Sequence, residues 1–379
     1  MGNVKKFDYK ILMPIILFAI ISLITINSAS TYLSKSLGNL VLKQASWYLI
    51  GAVLVFIVMH FKNEYLYRNC FTLYGIFCFL LLLLLFFGTP INNSKCWFMI
   101  PGIGTFQPSE FMKVVLMLVL AVMINNFRSK YDSPSIRDEA FFIAKTLFIV
   151  LIPSVLTFLE PDTGSVIMYL VIYFAMMFTS GIRIRWFVIF FILIGSVLGI
   201  VIGMYYLNSD LFMSVFGSKL FYRLDRIFGW QNGVGMQIEN ALASIGSAGL
   251  FGHGYNKTPL YFPESGTDFI FAVFASNFGL IPSILLVVLI LYFDIMLIKL
   301  TQKRITLPDK YILVGIISCL VFQQVQNIGM TIGLFPITGI TLPFISYGGS
   351  SLLSYMLMIG IILNIESDSN EHKYTYKFS

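Results

Sequence analysis

Long apolar runs alternate with short polar segments along this chain, and this pattern predicts its elements. A membrane-spanning helix needs roughly 20 mostly apolar residues. The runs at 79–87 and 188–194 are continuous, whereas the strands of a membrane β-barrel alternate apolar and polar positions. We therefore predict an all-α, polytopic membrane protein with ten transmembrane helices, at about 11–29, 44–61, 70–88, 110–126, 141–159, 165–181, 187–207, 268–298, 311–334 and 350–366.

One predicted span and one predicted loop are unusually long. The run at 268–298 is too long for one straight span, so we expect it to tilt or to kink near Pro282. The long extracellular loop between helices 7 and 8, at about 208–267, exceeds a simple connector. It has a helical pattern at Gln237–Gly246, and we expect it to be ordered and packed on the membrane face. No repeat or linker divides the chain, so residues 1–379 are treated as one membrane domain.

Composition supports the membrane assignment. Of the 379 residues, 58% are hydrophobic and 11% are charged, against about 25% charged residues in an ordinary soluble domain. The mean hydropathy is +0.84. These values exclude a soluble enzyme, a disordered chain and a disulfide scaffold. The four cysteines have no metal-binding spacing, so no metal site is predicted.

The positive charges orient the chain. With the N-terminus inside, sixteen of the 25 lysines and arginines fall in cytoplasmic segments and seven in outer segments, as the positive-inside rule requires. Both termini are then cytoplasmic. The first apolar run has no cleavage site and is expected to be a retained span. The net charge of +7 is explained by this bias, and no nucleic-acid partner is expected.

Charged groups next to the spans are the first candidates for chemistry, because charge in a bilayer is costly. Glu110 and Lys113 are three residues apart at the start of the fourth span, where they can form an ion pair. They either build a structural pair near a site or contact a substrate directly. Trp97, on the preceding outer loop, is an interfacial anchor or a site residue.

Two further acidic segments flank spans on the outer side. Glu160 and Asp162 lie between spans five and six, in a short turn or in a pair that serves a cation or acid–base chemistry. Asp268 begins an apolar run. Either Thr267 or Asp268 is the N-cap of that helix, or Asp268 is a partly desolvated carboxylate that can act as a base.

The segment at 327–351 is rich in Gly, Pro, Ser and Thr at membrane depth. Such backbone must be buried or line a cavity, so we expect a broken helix lining a polar cavity, or a tight turn and helix cap at 348–351. Ser346 and Ser350 are its candidate site residues. The polar groups gather near the outer face, which does not separate a transporter from an intramembrane enzyme.

Four segments carry a resemblance to a known family: QPSEFMK at 107–113, EPDTGS at 160–165, PESGTDFIFAV at 263–273 and the stretch at 327–351. With the ten predicted spans, the chain resembles the SEDS family (shape, elongation, division and sporulation), the RodA, FtsW and SpoVE type of peptidoglycan glycosyltransferase. The wording of its motifs is similar to the RodA branch. The resemblance implies an enzyme that polymerises lipid II at the outer face of the bacterial cytoplasmic membrane.

The resemblance also implies roles for particular residues. Asp268 matches the essential acid of the family, and we expect it to be the catalytic base in an inverting displacement. Residues expected to bind substrate are Trp97, Glu110, Lys113, Asp162, Ser346 and Ser350, and Arg223, Arg226 and Lys257 in the long loop are expected to hold the pyrophosphate. A divalent cation, Mg²⁺ or Mn²⁺, is an open alternative for the pyrophosphate, and no other cofactor is expected. The partner implied is a class B penicillin-binding transpeptidase.

The chain departs from the family pattern at three places. Cys96 replaces the usual Arg before the Trp, Gly252-His253-Gly254 replaces GKG, and Ser276-Asn277 replaces an acidic pair. Two other functions stay open: a lipid II flippase and a non-catalytic scaffold for a transpeptidase. A flippase needs ionisable groups at the membrane midplane, whereas the acids here cluster at the outer ends, and Asp294 is expected to be interfacial. The role in elongation, division or sporulation is not specified by these patterns.

Overall fold

The computed structural model describes residues 9–30, 39–91, 94–100, 104–218, 221, 235–303 and 305–375. Within them the chain is almost entirely helical. The helices are α1 (Tyr9–Ser30), α2 (Leu40–Phe87), α3 (Pro108–Lys130), α4 (Ile136–Leu159), α5 (Thr163–Thr179), α6 (Arg185–Leu207), α7 (Ser209–Phe216), α8 (Gly235–Gly246), α9 (Ile270–Phe278), α10 (Leu280–Thr301), α11 (Leu307–Thr331) and α12 (Gly349–Thr375).

The predicted fold class is confirmed. In the described part of the chain, eight helices are long and apolar enough to cross a membrane, and α5 is a shorter apolar helix. Helix α2 has 48 residues and covers two predicted spans; it is interrupted at Lys62, which has φ 60° and ψ 161°. The count of ten spans stays a prediction.

A small antiparallel sheet follows α2. Its strands are β1 (Thr89–Ile91), β2 (Ser94–Ile100) and β3 (Gly104–Phe106), in the order β1-β2-β3. Trp97 lies opposite Thr89 on β1, and Phe98 lies opposite Phe106 on β3. The sheet therefore carries Trp97 to the end of the bundle where α3 begins.

The predicted eighth span is divided, but not at Pro282. Helix α9 ends at Phe278 and α10 begins at Leu280, and Gly279 between them has φ 83°, a conformation that favours glycine. Pro282 lies in the first turn of α10, where its missing N–H has no intrahelical acceptor to lose. The break therefore lies three residues before Pro282, near the place where a kink was expected.

Residues 249–254 form hydrogen bonds with the backbone at the break between α9 and α10. The amides of Leu280 and Ile281 donate to the carbonyls of Gly249 and Leu250, at 3.0 and 3.2 Å. In return, the amides of 253 and 254 donate to the carbonyls of 276 and 277, each at 3.0 Å. These hydrogen bonds pair groups at both helix ends within the protein, where no intrahelical partner is available.

The long loop is described in part. The expected helix at Gln237–Gly246 is confirmed as α8, and its Ile238 and Ala241 pack in a small apolar cluster with Phe269 and Ala272. Residues 222–234 lie outside the described part of the chain. Helix α8 therefore supports the segment that carries Asp268.

The core lies around α3 and α12, whose side chains are largely buried, and α11 packs beside them. Helix α6 lies at the periphery and has no buried residue. Helices α3, α5 and α12 all begin at one end of the bundle, because hydrogen bonds connect Gln107, Asp162 and Ser350, which stand at their N-termini. We refer to this end as the site end.

Candidate functional site

Asp162 is the centre of a dense hydrogen-bond network, which we call the Asp162 corner (Trp97, Gln107, Ser109, Asp162, Ser165 and Ser350). Asp162 caps α5, since its Oδ1 accepts from the Ser165 amide at 3.0 Å. Its Oδ2 accepts from Ser165 Oγ at 2.7 Å, Gln107 Nε2 at 2.9 Å and Ser109 Oγ at 3.0 Å. Four donors from α3 and α5 thus hold this carboxylate in place.

Gln107 connects three of the predicted site residues. Trp97 donates its indole N–H to Gln107 Oε1 at 3.1 Å, while Gln107 donates its side-chain amide to Asp162. The Gln107 backbone N–H donates to Ser350 Oγ at 2.9 Å. Gln107 lies in the segment QPSEFMK but was not predicted as a site residue, because an amide has no charge that would mark it beside an apolar run.

Glu110 and Lys113 form the expected ion pair, with 2.6 Å between Lys113 Nζ and Glu110 Oε2. Lys113 is only 1% exposed and Glu110 is 12% exposed. Ser354 Oγ lies 3.4 Å from Glu110 Oε2, and Lys113 Nζ lies 5.5 Å from the centre of the Tyr355 ring. A substrate at the site end would therefore meet Glu110 before Lys113, whose charge stabilises the glutamate.

Asp268 stands on a short turn, residues 264–269, that is held by its backbone. Three successive carbonyls accept hydrogen bonds: Gly266 from the Tyr347 amide at 2.9 Å, Thr267 from Ser346 Oγ at 2.6 Å, and Asp268 from Asn327 Nδ2 at 2.8 Å. Ser346 Oγ also accepts from the amide of Leu342 at 2.8 Å. Ser346 therefore acts here by fixing the turn.

The alternative role of Thr267 or Asp268 as a helix cap is wrong. Helix α9 begins at Ile270, and Phe269 occupies the N-cap position without a side-chain hydrogen bond. Thr267 instead donates to Glu264 Oε2 at 2.8 Å. The Asp268 carboxyl is thus not used to cap α9.

The Asp268 carboxyl is partly exposed and is set up to exchange a proton near neutral pH. Burial, with a smaller contribution from the negative charge of Glu264, raises the pKa of Asp268 to about 7, and a hydrogen bond from Thr267 opposes this rise. A carboxyl with a pKa near the working pH is suited to general base catalysis. It lies outside the membrane-crossing helices, just before α9.

The segment Thr338–Ile340 lies close to both Asp162 and Asp268. A Cβ on Gly164 would lie 3.0 Å from the Thr338 carbonyl oxygen and 3.8 Å from Asp162 Oδ1. A Cβ on Gly339 would lie 3.8 Å from Asp268 Oδ2. The two acids therefore border the same irregular segment, which supports the expectation of non-helical backbone beside a polar site.

Glu160 is a buried acid with no hydrogen bond to either carboxyl oxygen in the described structure. It is 1% exposed, and its backbone carbonyl accepts from Cys96 Sγ at 2.9 Å. Burial raises the pKa of Glu160 to about 8, and the charge of Asp162 adds to this effect. Glu160 therefore keeps its proton at neutral pH.

The remaining predicted residues are not part of this network as described. Lys257 is exposed on the loop that packs against α9. Arg223 and Arg226 lie outside the described residues. Asp294, which was expected to be interfacial, is buried within the protein, and its Oδ1 accepts from Gln324 Nε2 at 3.2 Å between α10 and α11. Its depth in the membrane stays a prediction.

Known proteins are similar to this chain over most of its length. The family model for FtsW, RodA and SpoVE, described as cell cycle protein, matches residues 9–371. Stage V sporulation protein E of Bacillus subtilis is 34% identical over 335 residues, which cover 83% of this chain and 84% of that protein. A probable peptidoglycan glycosyltransferase FtsW of Coxiella burnetii is 33% identical over 311 residues, with 79% and 78% covered.

The fold is also similar to a solved structure. A chain from a peptidoglycan synthase complex, described for its structural coordination of polymerization and crosslinking, superposes with a TM-score of 0.79. It is 24% identical, and the match covers 96% of this chain and 98% of that chain. At this level of identity the likeness concerns the fold.

Proposed function

This chain belongs to the FtsW, RodA and SpoVE family of cell cycle proteins, and we propose that it is a peptidoglycan glycosyltransferase that polymerises lipid II into glycan strands. The observation that carries the proposal is Asp268, a partly exposed carboxyl with a pKa raised to about 7 on a turn fixed by three backbone hydrogen bonds. A group of this kind at the mouth of a polar site can remove a proton from a hydroxyl.

The proposed reaction is a single inverting displacement. The 4-hydroxyl oxygen of the acceptor sugar attacks the anomeric carbon of the donor, while the bond from that carbon to the pyrophosphate oxygen breaks. Asp268 accepts the hydroxyl proton. An α-linked donor then gives a β-linked product, and the undecaprenyl pyrophosphate leaves with the bonding electron pair.

The leaving pyrophosphate needs its negative charge stabilised. Helices α3, α5 and α12 begin at the site end, and helix N-termini favour anions. Lys257, with Arg223 and Arg226 of the long loop, stays our candidate for the compensating positive charge. Glu110, Trp97 and Ser350 stay candidates for contacts to the sugars and peptide.

The described side chains around Glu160 and Asp162 do not form a complete set of ligands for a metal cation. Among the described residues, no group of three His, Cys, Asp or Glu side chains could hold a metal. Asp162 Oδ2 accepts three hydrogen bonds, and Glu160 keeps its proton. We derive no step through a resident metal and propose that Mg²⁺ or Mn²⁺ would enter with the pyrophosphate.

An apolar groove offers space for the lipid tail. It lies between the second half of α2 and α4, and its volume is about 600 Å³. Leu156, at one end of its lining, stands one helical turn before Glu160. A polyprenyl chain in this groove would have its pyrophosphate end close to the Asp162 corner.

The partner and the orientation complete the proposal. The structural neighbour belongs to a complex that coordinates polymerization and crosslinking, so we propose a class B penicillin-binding transpeptidase as the partner of this chain. The protein crosses the membrane several times. We propose that both termini are cytoplasmic in the bacterial cytoplasmic membrane, which puts Asp268 outside.

A lipid II flippase is the second candidate, and one observation favours it. Asp294 and Gln324 form a buried polar pair between α10 and α11, away from the site end. An intramembrane carboxyl of this kind is a common feature of transport paths. The third candidate, a non-catalytic scaffold, requires none of these acids.

Purified protein with labelled lipid II separates these functions. The assay is run in detergent with and without the transpeptidase, in Mg²⁺, in Mn²⁺ and in EDTA. Glycan polymer is the expected product. Translocation of lipid II in proteoliposomes that is abolished by Asp294→Asn, without any polymer, would instead establish a flippase. If neither polymer nor translocation is observed, the non-catalytic scaffold is the remaining function.

A further inference from the structure

Two segments that lie far apart in the sequence meet in the structure. They are the loop at His253 and the end of α9 at Ser276-Asn277. The His253 amide donates to the Ser276 carbonyl at 3.0 Å, and His253 Nδ1 lies 3.0 Å from the same oxygen. Because a carbonyl oxygen only accepts, Nδ1 carries the proton in this contact.

Neighbouring residues complete the contact without any formal charge. Thr258 Oγ1 donates to Asn277 Oδ1 at 3.0 Å, and Asn277 Nδ2 donates to Ser28 Oγ on α1. Ser276 Oγ also lies 3.4 Å from His253 Nδ1. We call residues 249–254, Thr258 and 276–281 the α9–α10 joint.

Close backbone packing makes the joint rigid. A Cβ on Gly252 would lie 2.2 Å from the Asn277 carbonyl oxygen, and a Cβ on Gly279 would lie 2.3 Å from the Gly252 nitrogen. Real Cβ atoms do not approach this closely, so neither position tolerates a side chain without a shift. Ser276 and Asn277 are both fully buried.

Burial decides which residues can occupy the joint together. A carboxylate at position 276 or 277 would be fully buried beside the His253 imidazole, and a buried charge needs a charged partner. A lysine at 253 beside Ser276 and Asn277 would in turn find no carboxylate on these residues. A charge at 276 or 277 is therefore stabilised by a lysine at 253.

We propose that His253 is a positioning residue: together with Ser276 and Asn277 it forms a joint that holds α9 and with it Asp268. All of Ile270–Asn277 is buried, and Asp268 stands two residues before α9. A shift at the joint is thus transmitted along a packed helix to the turn of Asp268.

A charge cycle tests the joint independently of the proposed activity, although the link to Asp268 rests on that function. The variants are His253→Lys, Ser276→Glu and the double variant, and the first readout is thermal unfolding in detergent. Each single variant is expected to lower the unfolding midpoint, and the double variant to recover at least half of the loss of Ser276→Glu. Losses that simply add would overturn the proposal.

If Ser276→Glu does not fold, a second set of variants tests whether His253 is a positioning residue. His253→Gln keeps a neutral N–H donor, whereas His253→Ala removes it. We expect His253→Ala to lower kcat about tenfold with little change in KM, as for about 1.4 kcal/mol of lost transition-state stabilisation, and His253→Gln to stay near wild type. Equal kcat values in wild type, His253→Ala and His253→Gln would overturn the positioning role. Absence of polymer in the wild type would count against the proposed function, and the unfolding measurements would still test the joint.

Discussion

At the scale of single residues, the site is organised by neutral hydrogen-bond donors as much as by its acids. Gln107 joins Trp97, Asp162 and Ser350, and Asn327 holds the backbone of Asp268. The acids themselves could be selected from the sequence, since charge beside an apolar run is unusual. The amides could not, because their role depends on contacts between residues that are far apart in the chain.

Gln107→Glu tests this organisation. The new carboxylate would still accept from Trp97 but would face Asp162, so a donated hydrogen bond becomes a repulsion between like charges. We expect polymerisation to fall at least about tenfold, the effect of losing a hydrogen bond to a charged group. Initial rates of glycan synthesis measure it.

Trp97→Phe is the matched control, because it removes a bond to Gln107 and leaves the Asp162 contact intact. We expect a smaller loss than for Gln107→Glu. A wild-type rate in Gln107→Glu would show that the bond from Gln107 to Asp162 has no part in function.

Glu160 allows a separate prediction on stability. Its pKa is raised to about 8 in the folded protein, above the value of about 4.3 in an unfolded chain. The stability that this group contributes is therefore complete below the unfolded pKa and is lost as the pH rises through about 8. We expect the wild-type unfolding midpoint to drop between about pH 5 and pH 8 more than that of Glu160→Gln, and parallel curves would contradict a neutral Glu160.

At the scale of elements, apolar runs located the helices but not their breaks. Helix α2 is interrupted at Lys62, between two predicted spans, but it resumes directly through the polar residues 63–69, since helix formation needs no apolar residues outside a membrane. The division of α9 and α10 at Gly279 depends on Gly249–Gly254, some 30 residues earlier in the chain. Such a partner cannot be inferred from local periodicity.

Gly252→Ala tests this account of the broken helix. Gly252 has φ 77°, and its added Cβ would meet the Asn277 carbonyl. We expect a destabilisation of about 2 kcal/mol or more, from left-handed strain and the backbone shift together. Gly199→Ala in α6 is the control, since no atom lies within 4 Å of its added Cβ; equal unfolding midpoints for the two variants would contradict the account.

At the scale of the whole molecule, the predicted class of fold was confirmed because it rests on composition, which is a property of the entire chain. Less of the site could be predicted. Asp162, Trp97 and Ser350 do come together, whereas Asp268 proved not to cap α9. The turn of Asp268 is held by Asn327 and Ser346, and such tertiary contacts are not contained in sequence patterns.

Cysteine labelling tests the predicted orientation. In a background without Cys70, Cys78, Cys96 and Cys319, single cysteines replace Phe251 on the α9–α10 joint and Ser129 at the end of α3; both positions are exposed. A membrane-impermeant maleimide applied to intact cells should label Phe251→Cys only. Labelling of Ser129→Cys before permeabilisation would show that the orientation is the reverse of the predicted one.

The most direct test of the central claim is the pH dependence of lipid II polymerisation, measured as kcat/KM. A base must be ionised to accept a proton, so the wild-type rate should fall as the pH drops below about 7, the pKa of Asp268. Glu264→Gln removes a negative charge beside Asp268 and should move this fall to lower pH. Asp268→Asn should be slower by a factor of about 10² to 10⁴ at every pH, and a wild-type rate and profile in Asp268→Asn would contradict the account.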